Sequence, residues 1–422
     1  MPVKRYLPKK YSGVIILTAV VIITVLGAAA YQFFTNNQEL QVERLGKIDA
    51  NEVDPAVWGQ YYPLHYQTYL QNQENTEKPS HFETKPYMEV LYAGLGYANE
   101  FNEPRGHVYT LEDIRAIDPS RYKVGASCNT CKSTQIPGLI EKYGDEYYTM
   151  SFEQINSQLE HPIGCLDCHN PETMELRISR PALIEAFERQ GKDISKATRQ
   201  EMRSLVCAQC HVTYYFLPGT KKVTFPWDNG VKADQILEYY DQKDFSEWTH
   251  PEAGTGLVKP RHAEYEIFLG STHESAGLAC ADCHMPYMKI GNTKVSSHYW
   301  TSPLKNIEQS CGVCHREGNA WLESRVRDIQ DKTKELQDIA GEAMVKAVEQ
   351  LGLARQTEGV DKELLAKAQE MHRKGQWYLD YVMVTNGYGF HNPTESMNNL
   401  GKAIDYAHQA IQLAKDAMDK AN

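Results

Sequence analysis

All ten cysteines of this 422-residue chain fall into five C-x-x-C pairs: Cys128/Cys131, Cys165/Cys168, Cys207/Cys210, Cys280/Cys283 and Cys311/Cys314. None is left over for a structural disulfide. Zinc knuckles and thioredoxin-like redox pairs also use C-x-x-C, but four of these pairs are followed at once by histidine, in CLDCH, CAQCH, CADCH and CGVCH. That adjacency marks covalent c-type haem attachment and fits poorly with the usual zinc-ligand spacings. The two thiols add to the porphyrin vinyl groups, and covalent geometry puts the next residue under the iron as an axial ligand. His169, His211, His284 and His315 are the expected proximal ligands. The other axial position decides function, since a second histidine closes the iron into an electron relay and an open position admits a substrate. Eleven of the fifteen histidines lie outside the motifs, enough for four distal ligands.

The fifth motif, CNTCK, puts Lys132 where the others carry histidine. A lysine amine is protonated in water, so it ligates only where the iron's charge and burial drive off the proton. The neutral amine is a strong donor but has no second ring nitrogen through which a neighbour can tune it. A plain relay gains little from such a ligand. A drifted motif on a purely structural haem is the bland alternative.

Lys4, Arg5, Lys9 and Lys10 precede an uncharged run from Ser12 to Phe34. Lysines on the near side predict export of the rest of the chain, with residues 1–34 as an uncleaved membrane anchor or, given AAA at 28–30, a signal segment. The expected location is the periplasm or the outer face of the cytoplasmic membrane. A net charge of −11 argues against nucleic-acid partners. Residues 35–80 are polar, with Trp58, Tyr61, Tyr62 and Tyr66 as first anchors, and read as a linker and the start of the domain. The motif-bearing core covers 81–318, with irregular spacing and Pro/Gly-containing connections at 217–230 and 249–260.

After the last motif, Leu322, Val326, Ile329, Leu336, Ala340, Ala343, Ala347 and Leu351 recur at helical spacing. A long amphipathic helix is expected over 320–351, broken at 352–361. A second helix follows to about 384, then a loop at 386–393 and a final helix. Residues 319–422 thus read as C-terminal helices for packing or a dimer interface. With strand-like alternation nearly absent, the fold class is mainly α, built around five covalent haems.

One CxxCK followed by four CxxCH motifs, in this order, resembles the pentahaem cytochrome c nitrite reductases, which form ammonia. The resemblance extends through NEPRGHVYTLED (102–113), CAQCHVTYYF (207–216), VTFPWDNG (223–230), KPRHAEYE (259–266), CADCHMP (280–286) and FHNP (390–393). It implies five haem c groups and nitrite bound opposite Lys132 among an arginine, a tyrosine and a histidine. By motif position these are Tyr214, His262 and Arg121, with Arg115 the second choice because the family's spacing is not kept. It implies His107, His273, His298 and His391 as distal ligands, leaving His65, His81, His161, His250, His372 and His408 to surface or packing roles. It also implies a homodimer and a membrane multihaem quinol dehydrogenase as electron donor. Family members hold calcium through a glutamate before the tyrosine, a glutamine before the histidine and a lysine carbonyl. Here those side-chain positions are Thr213 and Arg261, so the expectation is no calcium, with Arg261 in its place. His262, with an ordinary histidine pKa, is the expected proton donor. Competing classes are an electron-transfer cytochrome with every iron closed, and a reductase of hydroxylamine or sulfur oxyanions.

Overall fold

The computed structural model describes residues 20–29, 31–32 and 46–421. The chain divides into two compact units, Met1–Asp49 and Ala50–Asn422. In the first, residues 20–29 are helical and expose Val20, Val21, Ile22, Ile23, Val25 and Leu26. Residues 12–19, 30, 33 and 34 of the apolar run, and the basic residues before it, lie outside the described residues. No helix among the described residues is long and apolar enough to cross a membrane, and the expected anchor is not supported.

The second unit starts inside the stretch read as a linker. Asp54 accepts from the Ala56 N–H at 2.8 Å and Pro55 opens helix α1 (Pro55–Tyr61), a local start signal independent of the rest of the fold. Pro63 opens α2 (Pro63–Leu70) in the same way. Trp58 is buried. Thr68 Oγ1 accepts from His298 N at 2.8 Å, and Asn72 donates to His298 O at 2.8 Å and accepts from Trp300 N at 2.9 Å. This early segment therefore fixes the backbone on both sides of a histidine far along the chain.

Short helices and loops follow, among them α3 (Thr110–Arg115), α4 (Pro181–Arg189), α5 (Arg199–Ala208), α6 (Ala233–Gln242) and α7 (Cys280–His284); α5 ends just past the first cysteine of CAQCH and α7 is CADCH itself, while the other three motifs lie in turns and 3₁₀ segments. A capping box starts α5, with Thr198 accepting from Glu201 N and Glu201 accepting from Thr198 N, so Cys207 arrives in its last turns. Ser204 on α5 accepts from Cys280 N at 3.1 Å, tying two motifs together. Among the described residues the strand content is three two-stranded antiparallel ladders. They are β1 (Tyr215–Phe216) with β2 (Val223–Thr224), β3 (Trp248–Thr249) with β4 (Gly256–Leu257), and the hairpin β5 (Tyr287–Ile290) with β6 (Thr293–Ser296). The connection at 217–230 closes a small hairpin, as its turn residues suggest.

Three long helices complete the unit: α8 (Asn319–Gln356), α9 (Lys362–Met383) and α10 (Pro393–Asp419). The expected break at 352 does not occur. Gly352 stays helical, and α8 ends only before Thr357 and Gly359, because packing of buried Leu351 and Ala354 outweighs the weak helix preference of one glycine. Asp361 and Asn392 cap the helices that follow. Small residues line the seam (Ala340, Ala347, Ala368, Ala403, Ala407, Ala410, Ala414), all fully buried. The helices come so close that a Cβ on Gly375 would meet Met344 Sδ at 2.8 Å and Ala403 O at 3.3 Å. The outer face of α8 leaves Trp321, Ile339 and Leu353 exposed.

Candidate active site

The motif loops bend in one way. The N–H of His169, His211 and His315 donates to the carbonyl of the first cysteine four residues back, at 3.0, 2.9 and 3.0 Å. One helical turn thus sets both thiols and the imidazole on one side. At CNTCK the turn is tighter, since Lys132 N donates to Asn129 O at 2.9 Å, three residues back.

These loops face a single cavity of about 2230 Å³, lined by nine of the ten cysteines (all but Cys314), by Lys132 and by His107, His169, His211, His262, His273, His284, His298 and His391. A site for one organic ligand occupies roughly 300–1,000 Å³, so this space suits several cofactors rather than one.

The imidazoles stand in pairs across it. The ring of His211 faces His107 at 5.8 Å between centroids, His169 faces His298 at 6.2 Å, His284 faces His391 at 6.2 Å, and His315 faces His273 at 6.3 Å. Two imidazoles bound to one metal ion at about 2 Å each place their centroids roughly 6 Å apart. Each pair joins one motif histidine to one of the four distant histidines named from the sequence. Nδ1 of His169, His284 and His298 lies at 2.9, 3.1 and 3.0 Å from the carbonyls of Met174, Thr301 and Ser296. A carbonyl partner puts the proton on Nδ1 and leaves the Nε2 lone pair free for a metal. Burial lowers the pKa of His107 and His298 to about 4, and of His211 and His391 to about 3, with neighbouring cations and imidazoles adding to the effect. The rings are neutral, as ligation requires. The donor set fits covalent haem.

Arg121, Tyr214 and His262 line the same cavity as Lys132. Arg115 does not. Its guanidinium turns away to Asn156 Oδ1 at 2.8 Å and Leu159 O at 2.7 Å. Arg121 places its guanidinium carbon 4.0 Å from the Tyr97 ring centre, a contact worth about 0.5–2 kcal/mol in orienting it. Burial pushes the Tyr214 hydroxyl well above its ordinary pKa, keeping it a hydrogen-bond donor. His262 differs from expectation. Burial, and then Lys132, His211, Lys259 and Arg261, hold its pKa well below 6.5, so it rests as a neutral imidazole rather than an imidazolium. Its Nδ1 is buried without a partner in the protein, and its backbone is held at φ 20°.

Arg261 is 6% exposed, and its guanidinium is spent on oxygens. Nη1 donates to Lys259 O at 2.8 Å, Tyr214 O at 3.4 Å and Glu247 Oε2 at 3.1 Å, while Nη2 pairs with Glu247 Oε1. Thr213 Oγ1 donates to Arg261 O at 2.8 Å and accepts from Arg261 N at 3.0 Å, joining the tyrosine segment to the histidine segment. Glu266, fully buried, accepts from Thr213 N at 2.8 Å and Trp227 Nε1 at 3.0 Å, which braces the same tyrosine segment. The Lys259 ammonium sits 4.7–5.3 Å from the ring centres of Tyr92, Tyr97 and Phe101. Among the described residues no cluster of three or more His, Cys, Asp or Glu side chains is arranged to hold a metal ion.

Glu247, Lys259 and Tyr97 were not foreseen. KPRHAEYE contained Lys259 but gave no sign of an aromatic cage, and nothing in the sequence ties Glu247 to Arg261. Of the remaining histidines, His250 and His372 are fully buried, their rings 5.9 Å apart, and His408 is exposed. His65 lines the cavity and packs 5.4 Å from the His298 ring.

A mainly helical unit whose centre is a shared cavity ringed by cysteine pairs and paired imidazoles defines a multihaem c-type cytochrome. The chain belongs to the cytochrome c552 family, whose model matches residues 54–422, and as a c-type cytochrome it carries covalently bound haem c. Cytochrome c-552 of Bacteroides fragilis is 40% identical over 381 residues, covering 86% of this chain and 77% of that protein. Cytochrome c nitrite reductase subunit NrfA of Nitratidesulfovibrio vulgaris is 35% identical over 419 residues, covering 88% and 80%. The solved cytochrome c nitrite reductase from Desulfovibrio desulfuricans, whose catalytic subunit has two calcium sites, superposes with a TM-score of 0.84 at 34% identity over 88% of each chain.

Proposed function

We propose that this chain is an ammonia-forming cytochrome c nitrite reductase with five haem c groups, one held by Lys132 and four by histidine pairs. The observation that carries this reading is the pairing itself. Four motif histidines each meet one distant histidine, which leaves the Lys132 motif with Arg121, Tyr214 and His262 in its cavity. A family of nitrite reductases among its relatives points the same way.

When bound, haem c supplies the iron that meets nitrite and the electrons its reduction consumes. The protein's own task is to hold an anion and feed it protons, since nitrite takes up six electrons and eight protons on its way to ammonium. Arg121 holds a nitrite oxygen through charge-assisted hydrogen bonds that strengthen as negative charge develops on the departing oxygen. Tyr214, kept protonated by burial, donates a second hydrogen bond. His262 rests neutral and donates from its N–H. An anion arriving beside it offsets the cations that hold its pKa down, so protonation of its ring accompanies substrate binding. Arg261 takes the part of calcium, presenting fixed positive charge to the Tyr214 and Lys259 carbonyls.

The active unit faces outward from the cytoplasmic membrane, where c-type haem is attached. A membrane quinol dehydrogenase of the multihaem type supplies electrons, and two copies associate through the exposed face of α8 around Trp321, Ile339 and Leu353. The test is the purified holoenzyme. Haem content should be five per chain, reduced viologen plus nitrite should yield ammonium, and cyanide should perturb the spectrum of one haem only. Five unperturbed haems would make the protein a relay.

A further inference from the structure

A histidine ligand has a second nitrogen by which a protein can turn its ring, as the carbonyls on His169, His284 and His298 do. Lysine lacks such a handle. Its amine ends a four-carbon chain of free rotors, so the height and direction from which it meets a metal are inherited from the backbone that bears it. The structure places one buried residue where that backbone is held.

We infer that Arg180 is a positioning residue for Lys132, clamping the CNTCK loop against the two neighbouring haem-attachment loops. Arg180 is 1% exposed. Its Nε donates to Thr130 O at 2.7 Å and its Nη2 to Ser133 O at 2.8 Å, the carbonyls on either side of Cys131–Lys132. One rigid plane therefore grips the loop at both shoulders. Nη2 also donates to Asp167 Oδ1 at 2.7 Å, and Asp167 lies inside CLDCH with its other oxygen accepting from Gly164 N at 2.8 Å. Nη1 donates to Ser179 Oγ at 2.8 Å.

The backbone of the same two residues reaches the third motif. Gln209, inside CAQCH, accepts through Oε1 from Ser179 N at 3.0 Å and Arg180 N at 3.2 Å, and donates through Nε2 to Asp167 O at 3.1 Å. Ser179–Arg180 is thus the node at which three attachment loops meet, and the motif positions usually regarded as free, Asp167 and Gln209, are what connect them. On the far side of Lys132, the Thr110 hydroxyl lies 2.6 Å from Lys132 O and 2.9 Å from His107 O, so the lysine peptide is braced from two directions. Lysine in place of Arg180 keeps the charge but cannot reach both carbonyls and the carboxylate from one plane.

The inference rests on the reading of Lys132 as an iron ligand. The experiment compares haem-loaded wild type with Arg180→Lys by EPR, by spectroelectrochemical titration and by nitrite turnover with reduced viologen. R180K should shift or broaden the signature and potential of the lysine-ligated haem and lower nitrite kcat about 10–100-fold, the usual range for a support behind a metal ligand. The haems on the His284 and His315 motifs, which Arg180 does not touch, should be unchanged. Should R180K fail to accumulate, Asp167→Asn, which weakens the clamp from its other end, should shift the same haem by a smaller amount. A variant whose lysine-type signature, potential and kcat match wild type overturns the inference, as does equal disturbance of all five haems. Wild type lacking a lysine-type signature refutes the ligand reading instead, and the two failures are told apart.

Discussion

Arg261→Gln tests whether one guanidinium does the work of a metal ion. The substitution removes the donors to Lys259 O, Tyr214 O and Glu247, and strands a carboxylate. Breaking a buried ion pair from one side costs about 3–5 kcal/mol. The Glu247 side chain is 20% exposed, so water relieves part of its loss and the low end, about 3 kcal/mol, is expected. A loss of 1 kcal/mol moves the melting point by about 2–4 °C in domains of 150–250 residues and less in longer chains, so scanning calorimetry of the holoenzyme at a fixed scan rate should show a fall of about 5 °C. Turnover should fall with it, because Tyr214 and His262 neighbour the loosened carbonyls. Glutamine also leaves an oxygen beside two carbonyls and a carboxylate, a hard-cation ligand set. Calcium should then restore part of both stability and rate in R261Q and do nothing to wild type. Wild type that loses activity in chelator, or R261Q as stable and active as wild type without calcium, would refute the reasoning.

Glu266 offers a test through pH. Burial raises its pKa from 4.5 to about 8, against the opposing pull of its hydrogen bonds. The folded chain therefore binds a proton that the unfolded chain releases above about 4.5, and the contribution of this group to stability falls as pH rises between about 4.5 and 8. Glu266→Gln keeps an oxygen for Thr213 N and Trp227 Nε1 and should flatten that part of the melting-point profile, whereas an unchanged slope would assign it to other groups. Arg121→Gln should lower nitrite turnover by at least about 100-fold, in the range of a lost charge-stabilising donor, while Arg115→Gln, whose guanidinium lies outside the cavity, should stay within about twofold; steady-state assays with viologen separate the two. Gly375→Ala forces a methyl group against Met344 and the Ala403 carbonyl. It should cost about 1–3 kcal/mol, visible as earlier denaturant unfolding with the haem spectra intact beforehand.

The helices were legible where a signal is local. A second and a final helix follow α8 as expected, and the apolar stripe of α8 is a stripe in the structure. Its end was misjudged at Gly352, because one glycine costs about 1 kcal/mol and buried neighbours outweigh that. The polar stretch before residue 80 misled in the other direction. Its composition suggested a linker, yet Pro55 and Pro63 open helices whose Thr68 and Asn72 hold His298 in place. The choice between Arg121 and Arg115 was open in the sequence, since both sit in one short segment, and only the direction each side chain leaves its helix separates them. His262 was expected to titrate near neutrality, but its burial, and after that the charges of Lys132, His211, Lys259 and Arg261, hold its pKa well below that.

From the order of residues alone came everything that covalent chemistry confines to five neighbours: where the C-x-x-C pairs stand, which side chain follows the second thiol, and that one of the five is a lysine. Tertiary structure decided which distant imidazole stands across from each motif histidine, four residues that the family resemblance named but that the spacing of the motifs does not pair. The facing imidazoles, the Glu247 partner of Arg261 and the Arg180 contacts come from segments far apart in the chain, and long-range contact leaves no periodic trace in sequence. Such contacts depend on how buried polar groups find partners once water is excluded, a condition that exists only after the chain has folded.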